Sequence, residues 1–118
     1  MIVMNEIQVD KAFIKDKEDL TTYSIGSVIS GGSGQPFENS PLGFCNMVDD
    51  YQSYALKSRL GIPLLYGGDA VHGMSLCKGT TLFPHNIGLG AANDPDLVEK
   101  IARATAIETA CTGRSESS

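Results

Sequence analysis

Residues 60–92, LGIPLLYGGDAVHGMSLCKGTTLFPHNIGLGAA, decide the fold that we expect for this chain. The apolar run at 62–66 has the length and the branched side chains of a buried parallel strand. Gly67 and Gly68 follow, where we expect the strand to end, and Asp69 comes directly after them. Because α/β proteins place reactive groups where parallel strands end, this order predicts a functional carboxylate at Asp69.

Two further strands are predicted upstream of this stretch. Residues 25–29, IGSVI, have the same apolar and branched character, and the glycine- and serine-rich segment 30–34 follows them. Residues 1–4, MIVM, predict the last part of another strand, and residues 5–22 carry a loose helical pattern.

Helices are predicted between and after these strands. Residues 43–59 repeat apolar side chains close to the 3.6-residue period of a helix. After a long loop at 67–92, Asp94 can cap a final helix and Pro95 fits its first position. The order β-α-β-α-β-α predicts a parallel sheet whose strands are joined by right-handed crossovers.

Composition and charge exclude several kinds of function. The net charge of -5 argues against a nucleic-acid partner, which would require a basic surface. No run of about 18 apolar residues is present, so we expect no membrane-spanning helix. Cys45, Cys77 and Cys111 are widely spaced and include no C-x-x-C pair, which predicts neither a zinc framework nor a disulfide scaffold. The first residues, MIVMNEIQVDK, show no signal peptide and leave the compartment open.

Two motifs resemble a known family closely. Residues 66–73, YGGDAVHG, and 81–98, TLFPHNIGLGAANDPDLV, are similar to the start of family 3 glycoside hydrolases, the β-glucosidase and β-D-glucan exohydrolase group. The resemblance extends over residues 23–113. It implies a (β/α)₈ TIM barrel, which typically takes about 250 residues. We therefore expect an α/β fold over residues 1–118 that is an incomplete barrel of about the first three β/α units. At 114–118 we expect a polar tail outside the family pattern.

The resemblance also implies an activity. Family 3 enzymes of this group are retaining, exo-acting β-glucosidases that hydrolyse O-glycosyl bonds of β-glucosides or β-glucans. The aspartate at the position of Asp69 holds the non-reducing sugar in them, and no cofactor or metal is implied. Their nucleophile and acid/base lie further along the chain, so we expect no catalytic residue here and no activity from this chain alone. Relatives are commonly secreted, extracellular or periplasmic.

The acidic residues also admit plainer interpretations. Asp69 could be a turn or helix-capping residue, the usual role of an acid after two glycines. Asp49, Asp50 and Glu108 could be nominated as catalytic substitutes. They fall on predicted helices, however, and helices ring the outside of a barrel, so we expect none of them in the site.

The histidines and the glycine cluster are expected to be structural. A zinc site built from His72, His85, Cys77 and Asp69 would have no standard ligand spacing, so we expect both histidines to order loops instead. Residues 26–34, GSVISGGSG, lack the G-x-G-x-x-G and G-K-[ST] spacings of phosphate-binding loops. By resemblance, this segment turns tightly near the pocket.

The chain departs from the family pattern at three places. Gly68 stands where many relatives have isoleucine, MSLCKG at 74–79 replaces HNNVYG, and Phe44 stands near a usual tryptophan. Three hypotheses follow. The chain is part of a retaining β-glucosidase, or it is a non-catalytic sugar-binding or partner-dependent α/β protein. The third is a small independent α/β domain whose resemblance is incidental.

Overall fold

The computed structural model describes residues 16–29 and 35–113, together with the backbone of residues 116–117. The elements within these residues are α1 (Glu18–Thr22), β1 (Ser27–Ile29), α2 (Pro41–Ala55), β2 (Leu65–Gly68), α3 (Asn86–Ala92), α4 (Pro95–Ala110) and β3 (Glu116–Ser117). The strands form one parallel sheet in the order β1-β2-β3, which confirms the predicted α/β class and parallel pairing. The predicted strand at 1–4 and the segment 30–34 lie outside the described residues.

The strand β2 begins later than the sequence predicted, because Pro63 and Leu64 do not pair with β1. Pro63 has no N–H to contribute to a ladder. The Gln52 side chain donates to the carbonyl oxygen of Leu64 at 2.5 Å and accepts from its N–H at 2.8 Å. The ladder with β1 therefore starts at Leu65, which is paired with Ser27.

The same strand also ends later than expected. Gly67 and Gly68, predicted to end it, belong to β2 because they pair with Glu116 and Ser117 of β3. Those two partners fall in the segment 114–118 that the sequence marks as a polar tail. The acid that follows the glycines still comes directly after the strand, as predicted.

Side-chain caps set where the two long helices begin. α2 starts slightly earlier than predicted because Ser40 Oγ accepts from the Gly43 N–H at 3.0 Å and Pro41 takes the first position. It ends at Ala55, short of the predicted residue 59. α4 confirms its prediction, since Asp94 Oδ1 accepts from the Leu97 N–H at 3.0 Å.

The predicted loop at 67–92 contains a short helix. α3 is capped by His85, whose Nδ1 accepts from the Ile87 N–H at 3.3 Å. It stops at Asn93, which has the left-handed φ of 52° that helix ends commonly show. No described helix combines the length and the apolar character needed to cross a membrane.

One face of the sheet is covered by α2. Val28 and Tyr66 occupy paired positions in β1 and β2, and the Tyr66 ring packs 5.5 Å from that of Tyr51 on α2. The buried cluster that they join comprises Leu20, Ile25, Val28, Val48, Tyr51, Ala55, Leu64 and Tyr66. The alternate side chains are less covered: Ser27 and Ile29 are half-buried, and Leu65 is 47% exposed. The sheet therefore has one packed face and one open face.

Candidate functional site

The predicted site residue Asp69 lies at the carboxyl end of the parallel sheet. It is exposed, whereas its neighbours Gly68 and Ala70 are buried. Gly67 pairs with Ile29 of β1 and with Glu116 of β3, and Gly68 pairs with Ser117 of β3, so the ladder holds the backbone that carries the acid. The sequence correctly placed Asp69 directly after a parallel strand, and its backbone is held there.

The chain after Asp69 turns back on itself at Gly73. The Phe83 N–H donates to the His72 carbonyl oxygen at 3.0 Å, and His72 Nδ1 lies 3.1 Å from the Phe83 carbonyl oxygen. Gly73 has φ +70°, and a Cβ added there would lie 2.6 Å from the Thr81 carbonyl oxygen. Only glycine fits this close approach, so Gly73 and His72 together join the two limbs of the loop.

Both histidines have the structural roles that the sequence predicted. His72 links the loop limbs and His85 caps α3, and their rings meet edge to face with centroids 5.2 Å apart. Within the described residues, no three histidine, cysteine, aspartate or glutamate side chains are grouped to hold a metal ion.

Two side chains from distant parts of the chain clamp this loop. From α4, the Glu108 carboxylate accepts from the Thr81 N–H at 3.1 and 3.0 Å and from its hydroxyl at 2.9 Å. From the segment before α2, Asn39 donates to the Leu76 carbonyl oxygen at 3.0 Å and accepts from the Lys78 N–H at 2.8 Å. Sequence reasoning missed both clamps, because neither residue belongs to a motif.

The inner side of the loop is held by apolar packing. Met74 and Cys77 are buried and form a cluster with Phe44 of α2. The Thr80 hydroxyl lies 2.6 Å from the Met74 carbonyl oxygen and 2.7 Å from that of Cys77. Two of the three expected departures from the family pattern, Phe44 and the MSLCKG segment, thus contact each other.

The other carboxylates considered for catalysis lie on helices, as predicted. Asp49 is exposed on α2, and Asp50 on the same helix forms an ion pair with Lys17 at 2.6 Å. Glu108 is engaged with Thr81. Two of the three carboxylates therefore have structural partners.

An apolar cavity of about 200 Å³ lies between the loop and α4. Its walls include Ala70, Phe83, Leu89 and Ile101, and Asp69 is not among the lining residues. The cavity therefore lies between packed elements, and the predicted sugar-binding carboxylate of Asp69 is outside it.

The chain thus carries an exposed acid at the end of a parallel strand, followed by an ordered loop that contains the HG and PHN motifs. The glycosyl hydrolase family 3 N terminal domain matches residues 3–115, and this chain belongs to that family of glycosidases. Membership excludes the third hypothesis, an incidental resemblance.

The relatives that the chain matches are longer enzymes. It is 34% identical over 98 residues to the lysosomal beta glucosidase of Dictyostelium discoideum, covering 78% of this chain and 12% of that protein. The crystal structure of the exo-1,3/1,4-beta-glucanase from a Pseudoalteromonas species superposes with a TM-score of 0.79 at 40% identity, covering 99% of this chain and 15% of the enzyme. A mutant of the same glucanase matches with a TM-score of 0.78, also at 40% identity, over 99% of this chain and 19% of the other. The chain therefore spans less than a fifth of the length of these relatives.

Proposed function

We propose that this chain is the part of a retaining, exo-acting β-glucosidase that holds the terminal sugar of a β-glucoside or β-glucan through Asp69. The observation that carries the proposal is the exposed Asp69 carboxylate at the end of β2, beside a loop fixed by Glu108 and Asn39. Rigid support of this kind is what a binding carboxylate needs in order to select one sugar geometry.

The same sheet supports an incomplete (β/α)₈ barrel of about the first three β/α units. Sheets in doubly wound α/β proteins carry helices on both faces. Here α2 covers the face of Val28 and Tyr66, and Leu65 on the other face is 47% exposed. In a barrel, the face opposite the helices points inward and packs against side chains of the remaining strands. This packing accounts for the apolar Leu65 on that face.

The chemistry of Asp69 favours a chain-terminal sugar. A carboxylate can accept two charge-assisted hydrogen bonds from adjacent hydroxyls of one glucose unit. A glycosidic bond at either hydroxyl removes one of those donors. A sugar with both hydroxyls free therefore binds best, and this preference produces exo action.

Within the described residues we infer a binding carboxylate and no catalytic pair. Retaining glycosidases use two carboxyl groups about 5–5.5 Å apart, one as nucleophile and one as acid/base. Asp50 and Glu108 are engaged with Lys17 and Thr81, and Asp49 lies on the same helix as Asp50. We therefore expect the 118-residue chain to show no turnover of a chromogenic β-glucoside.

A chimera tests the assignment of Asp69 in a complete enzyme. In this protein, the chimeric glucanase, the present chain replaces the matching segment of the Pseudoalteromonas enzyme. Asp69→Asn should lower kcat/KM by about 10- to 150-fold, since a hydrogen bond to a charged group contributes about 1.5–3 kcal/mol. The matched control is Asp96→Asn, an exposed acid in the first turn of α4, which should leave kcat/KM unchanged.

Two outcomes would count against the proposal. Full activity of the Asp69→Asn chimera would show that Asp69 does not bind the sugar. Glucose binding by the isolated chain, combined with a chimera that folds but has no activity, would favour the non-catalytic sugar-binding alternative.

A further inference from the structure

The fold brings together two cysteines that are far apart in sequence. Cys45 lies on α2 and Cys111 ends α4, and they are separated by 66 positions. The Cys45 sulfur lies 3.2 Å from the carbonyl oxygen of Cys111. Both thiols are free, with Cys111 exposed and Cys45 half-buried.

The turn after α4 packs directly on Cys45. A Cβ added to Gly113 would lie 3.4 Å from the Cys45 Cα and 3.7 Å from its sulfur. Gly113 has φ +75°, and its N–H donates to the Ala110 carbonyl oxygen at 3.0 Å, which closes the turn. Thr112 within the turn is fully buried, so the turn is packed into the fold at this point.

We propose that Cys45 and Cys111 form a reversible intramolecular disulfide bond that joins α2 to the end of α4. The carbonyl oxygen and the Cα of one residue are about 2.4 Å apart, so the Cα of Cys111 lies within about 6 Å of the Cys45 sulfur. The Cys45 sulfur is about 2.8 Å from its own Cα, so the two Cα atoms lie within about 8.5 Å of each other. Disulfides join residues whose Cα atoms are about 4.4–6.8 Å apart, so the bond requires a backbone shift of at most about 2 Å at the end of α4.

The oxidant is a small disulfide such as oxidised glutathione. The Cys111 thiolate, which is exposed, attacks one glutathione sulfur, forms a mixed disulfide and releases the other glutathione as a thiolate. Cys45 then loses its proton to solvent and attacks the Cys111 sulfur, and the second glutathione thiolate leaves. Two protein thiols are oxidised to one disulfide, and one glutathione disulfide is reduced to two thiols.

The third cysteine is unsuited to this reaction. Cys77 is 3% exposed and packs in the cluster with Phe44 and Met74. Buried thiols in apolar surroundings react slowly, because the thiolate is the reactive form. The structure thus selects one pair among the three possible pairs.

The disulfide bond would reinforce α4, which is otherwise mostly exposed. Thr109 is the buried residue of α4, and Leu97 and Ile107 are 45% and 55% exposed. Glu108, which clamps Thr81 of the loop, lies within one turn of Cys111. Oxidation would therefore hold the Glu108 clamp, and with it the loop that follows Asp69.

Disulfide mapping tests the pair. The chimeric glucanase is incubated at low concentration in a buffer of oxidised and reduced glutathione, alkylated and digested with trypsin. Cleavage after Lys57, Lys78 and Arg103 puts each cysteine in a different peptide. Under native conditions we expect the peptides of Cys45 and Cys111 to be cross-linked and Cys77 to be alkylated.

Denaturant gives the internal control. In the unfolded chain, loop closure favours either pair that includes Cys77 by about threefold, because those pairs enclose about half as many residues. A Cys45–Cys111 bond that dominates in buffer and loses that dominance in urea is the signature of native geometry. Cys77→Ser should keep the native cross-link, and Cys111→Ser should abolish it.

The chimeric glucanase supplies the remaining barrel, so the test does not require the isolated chain to fold. The proposal is overturned if the Cys45–Cys111 cross-link is absent from the chimera, or if pairs with Cys77 or disulfide-linked dimers predominate.

Discussion

Replacing Gly73 by alanine should open the loop that follows Asp69. A residue with a Cβ at φ +70° costs about 1–2 kcal/mol for the left-handed backbone. The new methyl would also lie 2.6 Å from the Thr81 carbonyl oxygen and 2.9 Å from the Phe83 ring. Overpacking of this kind costs about 1–3 kcal/mol. The two effects together predict a destabilisation of about 2–5 kcal/mol.

Gly79 provides a matched control in the same loop. Its φ is +92°, and an added Cβ would meet no atom within 4 Å. Gly79→Ala therefore carries the backbone cost of about 1–2 kcal/mol without the steric contact. The difference between the two variants isolates the close approach of the loop limbs.

Hydrogen exchange of the Phe83 amide measures the opening. This N–H is bonded to the His72 carbonyl oxygen at 3.0 Å, so it exchanges when the limbs separate. In the chimeric glucanase, Gly73→Ala should accelerate its exchange about 5- to 150-fold more than Gly79→Ala does. Equal acceleration by both variants would refute the steric argument, and we would then assign the effect to backbone conformation alone.

Three further perturbations have defined outcomes. Glu108→Ala removes the three bonds to Thr81 and should speed amide exchange across 74–83 about 5- to 30-fold. The control Glu99→Ala, at an exposed position of the same helix, should leave these exchange rates unchanged. Unchanged rates in Glu108→Ala would mean that the Glu108 clamp does not stabilise the loop. Gln52→Ala leaves both backbone groups of Leu64 without their partner and should destabilise the chimera by about 1–3 kcal/mol, measured as a lower Tm than for Ser53→Ala. The isolated chain, with the apolar Leu65 47% exposed on the sheet, should aggregate or melt without a cooperative transition; a soluble monomer with a sharp two-state melt would contradict this.

Local signals located much of the fold and the position of Asp69 at the end of a strand. Asp94 and Pro95 are a cap and a first-turn residue in any sequence, and α4 begins where they predict. The apolar run before Asp69 correctly placed an acid at the end of a parallel strand. These features depend on neighbouring residues, which is why the sequence alone reveals them.

Elements whose limits depend on distant partners were placed less well. β2 starts at Leu65 because Gln52 of α2 occupies Leu64, and it includes two glycines because β3 pairs with them. α3 was missed because NIGLGAA contains two glycines, which disfavour a helix, and because its cap is His85, an uncommon capping residue.

The contacts that build the loop and the thiol pair also lie beyond local patterns. Thr81 and Glu108 are 27 positions apart, Asn39 and Leu76 are 37 apart, and the two cysteines are 66 apart. Periodicity and capping rules act over a few residues, so they carry no information about such pairs. The fold had to be known before these contacts could be found.

The packing of Phe44 against Met74 and Cys77 determines which segments can be exchanged between homologous enzymes. A ring and two sulfur-containing side chains fill one enclosed volume, and a change in any of them alters the space left for the others. A loop of the HNNVYG type transplanted without the matching residue on α2 would leave a void or a clash. Libraries that recombine family 3 sequences should therefore keep residue 44 and residues 74–79 in one block, although the rest of α2 and the strand β2 separate them along the chain.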